Sequence, residues 1–235
     1  MAPIVMITRP EPEATALAAQ LAGQGARLLV SPLQQIRFHA FTLPEAPFDA
    51  IFTSRNGVRA YADLGGPDLP AICVGEATAQ AARDIGLPAR AMGGDSDALI
   101  AALLADRPEA PVMHLRGEVS RGDIATRLTA GGIVTRDAVI YRQTLLDLTD
   151  AAHALLMDRR PVILPLYSPR TAARLAQIIR PRAPLHVVAI SQAVAKAAAP
   201  LGAENKVIAD TPDAPAMIRA VLATLRRVEG MGPPH

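Results

Sequence analysis

The sequence predicts an α/β protein built from two similar parallel-sheet modules, and three observations carry that prediction. Short, continuously apolar runs recur along the chain, each followed by a small polar residue and then an amphipathic stretch. These strand, turn and helix units come in pairs at a nearly constant spacing. Half of the 235 residues are hydrophobic and a fifth are charged, at a mean hydropathy of +0.22, which supplies apolar material for packed cores and excludes a disordered chain.

The pairs are explicit. Residues 48–64 (FDAIFTSRNGVRAYADL) return as 160–178 (RPVILPLYSPRTAARLAQI), aligning Ser54 with Ser168, 114 positions on. Residues 70–87 return as 184–202, aligning Gly75 with Ser191 at an offset of 116. Residues 4–30 (IVMITRP…) return as 111–137 (PVMHLRG…), aligning Arg9 with Arg116 at an offset of 107. Repeats of this kind mark a duplicated structural unit.

Strands are expected near 5–8, 51–53, 72–74, 112–115, 163–166 and 187–190, mainly apolar runs without alternation, as in parallel sheets covered on both faces. Ser96 is expected to cap a helix over 97–104, and Thr211 and Asp213 to start one over 215–225. Gly23, Gly86, Gly131 and Gly202 fall just past helices, where φ can turn positive. Residues 35–47 and 138–150 lean towards β structure and can pair as a connector, with Pro44 and Pro47 beside it. The residues alone leave open whether the first unit belongs with the second and third or crosses back to the last two.

Composition narrows function. Aromatics are 3%, with no Trp, which argues against stacking platforms for single-stranded nucleic acid. Lys196 and Lys206 are the only lysines among 24 basic residues, so the basic set is Arg, a planar fork suited to carboxylate or phosphate, though a GC-rich genome gives the same bias. The lone Cys73, inside an apolar run, excludes an internal disulfide and a multi-thiolate metal site. The five His are scattered without ligand spacing, and there is no phosphate-loop lysine motif, so no metal and no cofactor are expected. MAPIVMITRP has no basic segment or long apolar core, and no apolar run approaches about 18 residues, so a cytoplasmic protein without a membrane span is expected.

In open α/β sheets, ligands bind beyond the carboxyl ends of the strands, where helix N-termini offer unpaired N–H groups. Thr8 and Arg9, Ser54 and Asn56, Gly75 and Thr78, Arg116 and Gly117, Ser168, and Ser191 all fall at such positions and are expected to face one cleft. Taken singly, the Ser, Thr and Asn among them read equally as ordinary N-caps.

The phrases ITRP (7–10), FTSRNGV (52–58), VGEATA (74–79), LRGE (115–118), VIYRQT (139–144), YSP (167–169) and the ending IADTPDAPAMIRAV together resemble the uroporphyrinogen-III synthase family, in the family's order over nearly the whole chain. The resemblance implies two flavodoxin-like domains with a crossed path, residues 1–36 plus 148–235 and residues 48–137. The segments 37–47 and 138–147 would form a connecting β-ladder, and the active site would lie in the cleft between domains. It implies cyclisation of hydroxymethylbilane to uroporphyrinogen III in tetrapyrrole (haem, sirohaem, cobalamin, chlorophyll) biosynthesis, a hydro-lyase reaction without cofactor. The partners it implies are the linear tetrapyrrole and, transiently, the bilane synthase that precedes it, with no nucleic acid or membrane, and a monomeric chain.

By the same resemblance Tyr141 is the group that assists hydroxyl departure, and Ser54, Thr78 and Ser168 line the site. Arg121 fits a basic position near Gly117. Arg55 departs from the family pattern, standing where a small residue or Pro is commoner, and reads either as a carboxylate clamp or as a solvated charge. Where many relatives read Gly-Pro-x-Thr, this chain has Ser191-Gln192-Ala193-Val194, so Ser191 or Gln192 takes the place of the expected threonine. Tyr167 reads as a packing residue at a strand end. A non-catalytic bilobal binder of a polyanionic small molecule is the rival reading.

Overall fold

The computed structural model describes residues 2–45, 47–120 and 122–230. In chain order the elements are β1 (Ile4–Ile7), α1 (Glu13–Ala22), β2 (Leu28–Val30), β3 (Gln34–Phe38), β4 (Asp49–Phe52), α2 (Arg55–Asp63), β5 (Ala71–Cys73), α3 (Glu76–Asp84) and β6 (Ala89–Ala91). There follow α4 (Ser96–Ala105), β7 (Val112–Gly117), α5 (Ile124–Ala130), β8 (Thr135–Leu145), α6 (Asp150–Met157), β9 (Val162–Leu166) and α7 (Pro169–Ile178). The chain ends with β10 (Leu185–Ala189), α8 (Gln192–Ala197), a 3-10 turn (Ala199–Leu201), β11 (Asn205–Ile208) and α9 (Ala214–Gly230).

Contacts divide the chain into two compact units: Met1–Gln35 with Thr144–His235, and Ile36–Gln143. The first holds a sheet in the order β11-β10-β9-β1-β2, all parallel. Its core lies on both faces because neighbouring strand residues point opposite ways. Val162, Leu164, Leu166 and Met6 pack with Leu155, Leu175 and Val187 on one side, and Val5, Ile7 and Ile163 with Leu17, Leu21, Met217 and Val221 on the other. Two buried faces explain why β9 is apolar throughout and β10 is apolar apart from His186.

The second unit's sheet runs β3-β8-β7-β4-β5-β6. Ala50, Phe52 and Leu115 pack with Tyr61 and Ala79 on one face, and Ile51, Ile72 and Val112 with Leu99, Leu103 and Leu128 on the other. All strands from β8 to β6 are parallel. The sequence repeats fall on equivalent places in the two sheets: β4 and β9, β5 and β10, β7 and β1. Registers agree as well, since Val5 faces Ile163 in one sheet and Val112 faces Asp49, the matching pair, in the other.

Several boundaries differ from expectation. The connector ladder lies earlier than expected: β3 ends at Phe38, and the described residues of 39–47 carry no strand. Pro44 and Pro47 there have no N–H to give a ladder. His39 N–H donates to Ile140 at 2.9 Å and Leu146 N–H to Leu33 at 2.9 Å, so β3 and β8 are antiparallel. Asp95, not Ser96, caps α4, its Oδ1 accepting from Ala98 N–H at 2.8 Å. A carboxylate there meets the positive end of the helix as well as its free donors.

Gly86 and Gly202 do take positive φ, but Gly23 and Gly131 stay right-handed because their N–H groups still bond the carbonyls of Ala19 and Arg127, four residues back. The left-handed position passes to Gly25 and Gly132. Asp213 caps α9 through Ala216 N–H at 2.8 Å, steadied by Thr211 Oγ1 at 2.6 Å, and the helix runs five residues beyond the expected end.

Candidate functional site

In the second unit the expected residues gather at the carboxyl ends of β4, β5 and β7. Ser54 is the N-cap of α2, extended at φ −155°, and its Oγ accepts from Asn56 N–H at 3.1 Å. Asn56 in turn accepts from Arg59 through Oδ1 at 3.3 Å. Arg55 is exposed on the first turn of the same helix. Gly75 caps α3, and Thr78, 8% exposed, is turned inward from its first turn.

Tyr141 comes from β8. Its side chain is 5% exposed and lies in a slot formed by two glycines. A Cβ added to Gly117 would stand 2.7 Å from the ring carbon carrying the hydroxyl, and one added to Gly57 would stand 3.8 Å from the ring edge. A register shift between Arg116 and Gly117 brings Gly117 opposite Tyr141. Burial pushes the phenol above its ordinary pKa, and the neighbouring Ser54 hydroxyl acts in the opposite direction. Tyr141 therefore stays protonated through neutral pH and can donate a hydrogen bond.

Arg116 is held internally. Nε donates to Asp137 at 2.5 Å, and one terminal nitrogen reaches the carbonyls of Gly117 at 3.0 Å and Glu118 at 3.4 Å. Beneath it His114 is 1% exposed, with Nε2 buried and unpaired; burial, then the Arg116 charge, pull it down to about 4, against Asp137. Sequence reasoning missed both His114 and Asp137, although β7 and β8 place them opposite one another. Arg121 lies outside the described residues.

The first unit repeats the layout. Thr8, 1% exposed, ends the run of β1, and Arg9 follows it. Ser168 is the N-cap of α7 without a side-chain bond, and Ser191 caps α8 through Val194 N–H at 3.4 Å. The Arg9 guanidinium lies over the Tyr167 ring, 4.0 Å from its centroid. Among the described residues no three His, Cys, Asp or Glu cluster as metal ligands, and no helix is long and apolar enough to cross a membrane.

Each unit thus presents capped helix N-termini beside an Arg at the end of its sheet, a chemistry that suits carboxylates, and the second adds a buried phenol donor. The fold is similar to solved structures. A uroporphyrinogen-III synthetase from Helicobacter pylori aligns at a TM-score of 0.67 and 21% identity, over 95% of this chain and 100% of the other. A mutant uroporphyrinogen III synthase from the extremely thermophilic bacterium Thermus thermophilus aligns at 0.53 and 16%, over 98% and 100%. No curated protein matches the sequence. The family model described as Uroporphyrinogen-III synthase HemD matches residues 15–219. With that match covering most of its length, the chain belongs to the uroporphyrinogen-III synthase family, whose members are cyclising enzymes of tetrapyrrole synthesis.

Proposed function

We propose that this chain closes hydroxymethylbilane to uroporphyrinogen III, inverting ring D and releasing one water. The observation that carries the reading is the family match across residues 15–219. The substrate has eight carboxylates, and the Arg residues and helix N-termini at the sheet ends are complementary to them.

The chemistry needs little beyond orientation and one proton donor. The electron-rich pyrrole expels its hydroxyl once that oxygen accepts a hydrogen bond from Tyr141, leaving an azafulvene. Ring D attacks through its substituted carbon, and the resulting spiro intermediate fragments and recloses. The Tyr141 proton leaves with the water, and a proton lost from the substrate as the ring regains aromaticity restores it. Closure at the free terminal carbon, the uncatalysed outcome, gives the type I isomer, so holding the substituted carbon nearest is the main catalytic task. In this reading Ser54, Asn56, Gly75, Thr78, Ser168 and Ser191 bind the folded chain, with Thr8, Arg9, Arg55, Gly117 and Arg121. Arg116 acts by fixing the loop that follows β7.

The reaction is that of a hydro-lyase working as a monomer in the cytoplasm, where the buried free thiol of Cys73 fits a reducing medium. The substrate comes from the preceding bilane synthase by transient contact. Incubation with freshly generated hydroxymethylbilane, followed by oxidation and separation of isomers, tests the reading: type III is expected, and type I alone overturns it.

A further inference from the structure

Arg9 and Arg116 occupy the same place in the two copies of the repeat, yet they are held differently. Arg116 is neutralised by Asp137, which stands opposite His114 on the neighbouring strand. The matching position in the first unit, opposite Ile7, is Val30. Arg9 therefore lacks, on the neighbouring strand, the carboxylate its counterpart has.

What it has is Tyr167. The register of β1 on β9, Ile4 facing Val162 and Val5 facing Ile163, brings position 9 opposite position 167 just past the strand ends. There the guanidinium carbon sits 4.0 Å from the ring centroid. Stacking on one face leaves the in-plane N–H groups of Arg free to grip a carboxylate, and it restrains a side chain that otherwise loses much rotamer freedom on binding. The Tyr167 hydroxyl is buried beside the Arg9 guanidinium, its polar neighbour, and its own proton has no acceptor among the described residues. Packing alone gives no reason for that proton, because a phenyl ring fills the same space without an O–H that finds no acceptor.

We propose that Arg9 and Tyr167 form a carboxylate subsite, in which one carboxylate of the substrate accepts hydrogen bonds from the guanidinium edge and from the Tyr167 hydroxyl. This rests on the function proposed above, which supplies the polycarboxylate. It gives Tyr167 a binding role, and it makes the two repeats unequal: one arginine serves the fold and the other is kept for ligand.

The test is steady-state kinetics on Tyr167→Phe, Arg9→Gln and the double variant, with thermal unfolding of each. Tyr167→Phe is expected to raise KM about fivefold and Arg9→Gln about tenfold, with kcat within about twofold of wild type. The double variant should raise KM by less than the product of the single effects, because both donors serve one carboxylate. Tyr167→Phe should unfold close to wild type, since the O–H it removes finds no acceptor within the fold. A Tyr167→Phe protein with wild-type KM overturns the subsite while leaving the synthase reading intact. A wild-type protein that yields only the type I isomer overturns that reading instead.

Discussion

The Tyr141 ring lies against Gly117 with no room for a side chain between them: the nearest ring carbons stand 2.7 and 2.8 Å from where a Cβ would be, and the hydroxyl oxygen 3.0 Å. Contacts under 3 Å force movement, and here the neighbour is a ring that is itself 5% exposed. Gly117→Ala is therefore expected to shift Tyr141. The cost should be about 1–3 kcal/mol of stability, as for other overpacked interiors, with a fall in kcat. Thermal unfolding and turnover of the one variant check both parts.

Tyr141→Phe keeps the ring and removes the donor. Turnover should drop at least about tenfold, the lower part of what a positioned proton donor contributes, with unfolding little changed. Because burial holds the phenol above its ordinary value, wild-type kcat should show no fall from tyrosine ionisation up to about pH 10. Unchanged turnover in the variant would make Tyr141 a packing residue.

His114 makes the fold sensitive to acid. The folded chain keeps the imidazole neutral down to about pH 4, while the unfolded chain takes up a proton near 6.5. Below 6.5 the unfolded state thus binds more protons, and stability falls as pH drops towards 4, by at most about 1.4 kcal/mol per pH unit from this group. Denaturant midpoints measured from neutral pH down to about 4 should show that slope, and His114→Gln should flatten it.

Cys73 sits within β5 at 0% exposure, and burial, the largest influence, pushes its thiol up to about 11. Neither the thiolate nor access is present at neutral pH. A thiol reagent should label the native protein only as fast as it opens, and labelling should become rapid in denaturant. Fast labelling of the native protein would contradict the position of β5.

Much of the fold was legible because it is written twice. The runs that became β4 and β9, or β5 and β10, are buried on both faces, so apolar continuity marked them directly. The three-residue strands β2 and β6, and the edge strand β11, were not legible, since edge strands are half-exposed and too short for a pattern. Caps slipped by one residue where two candidates stood together, as at Asp95 and Ser96.

Within the site, Ser54, Ser168 and Ser191 stood out because small polar residues at helix starts have a local signature. The two features that set the units apart had none. Arg116 and Arg9 read alike in sequence, and only the strand beside each one, with Asp137 in one sheet and Val30 in the other, decides whether the guanidinium is already occupied. The glycine slot around Tyr141 likewise joins residues from β7, β8 and α2, which no local pattern links.

Product identity tests the proposed synthase activity most directly. Freshly made hydroxymethylbilane cyclises unaided to uroporphyrinogen I, so the type III fraction, measured after oxidation against protein concentration, reports the protein's own work. The type III fraction should rise with protein concentration until type III is nearly the sole product; type I throughout, at every concentration of folded protein, would contradict a synthase activity.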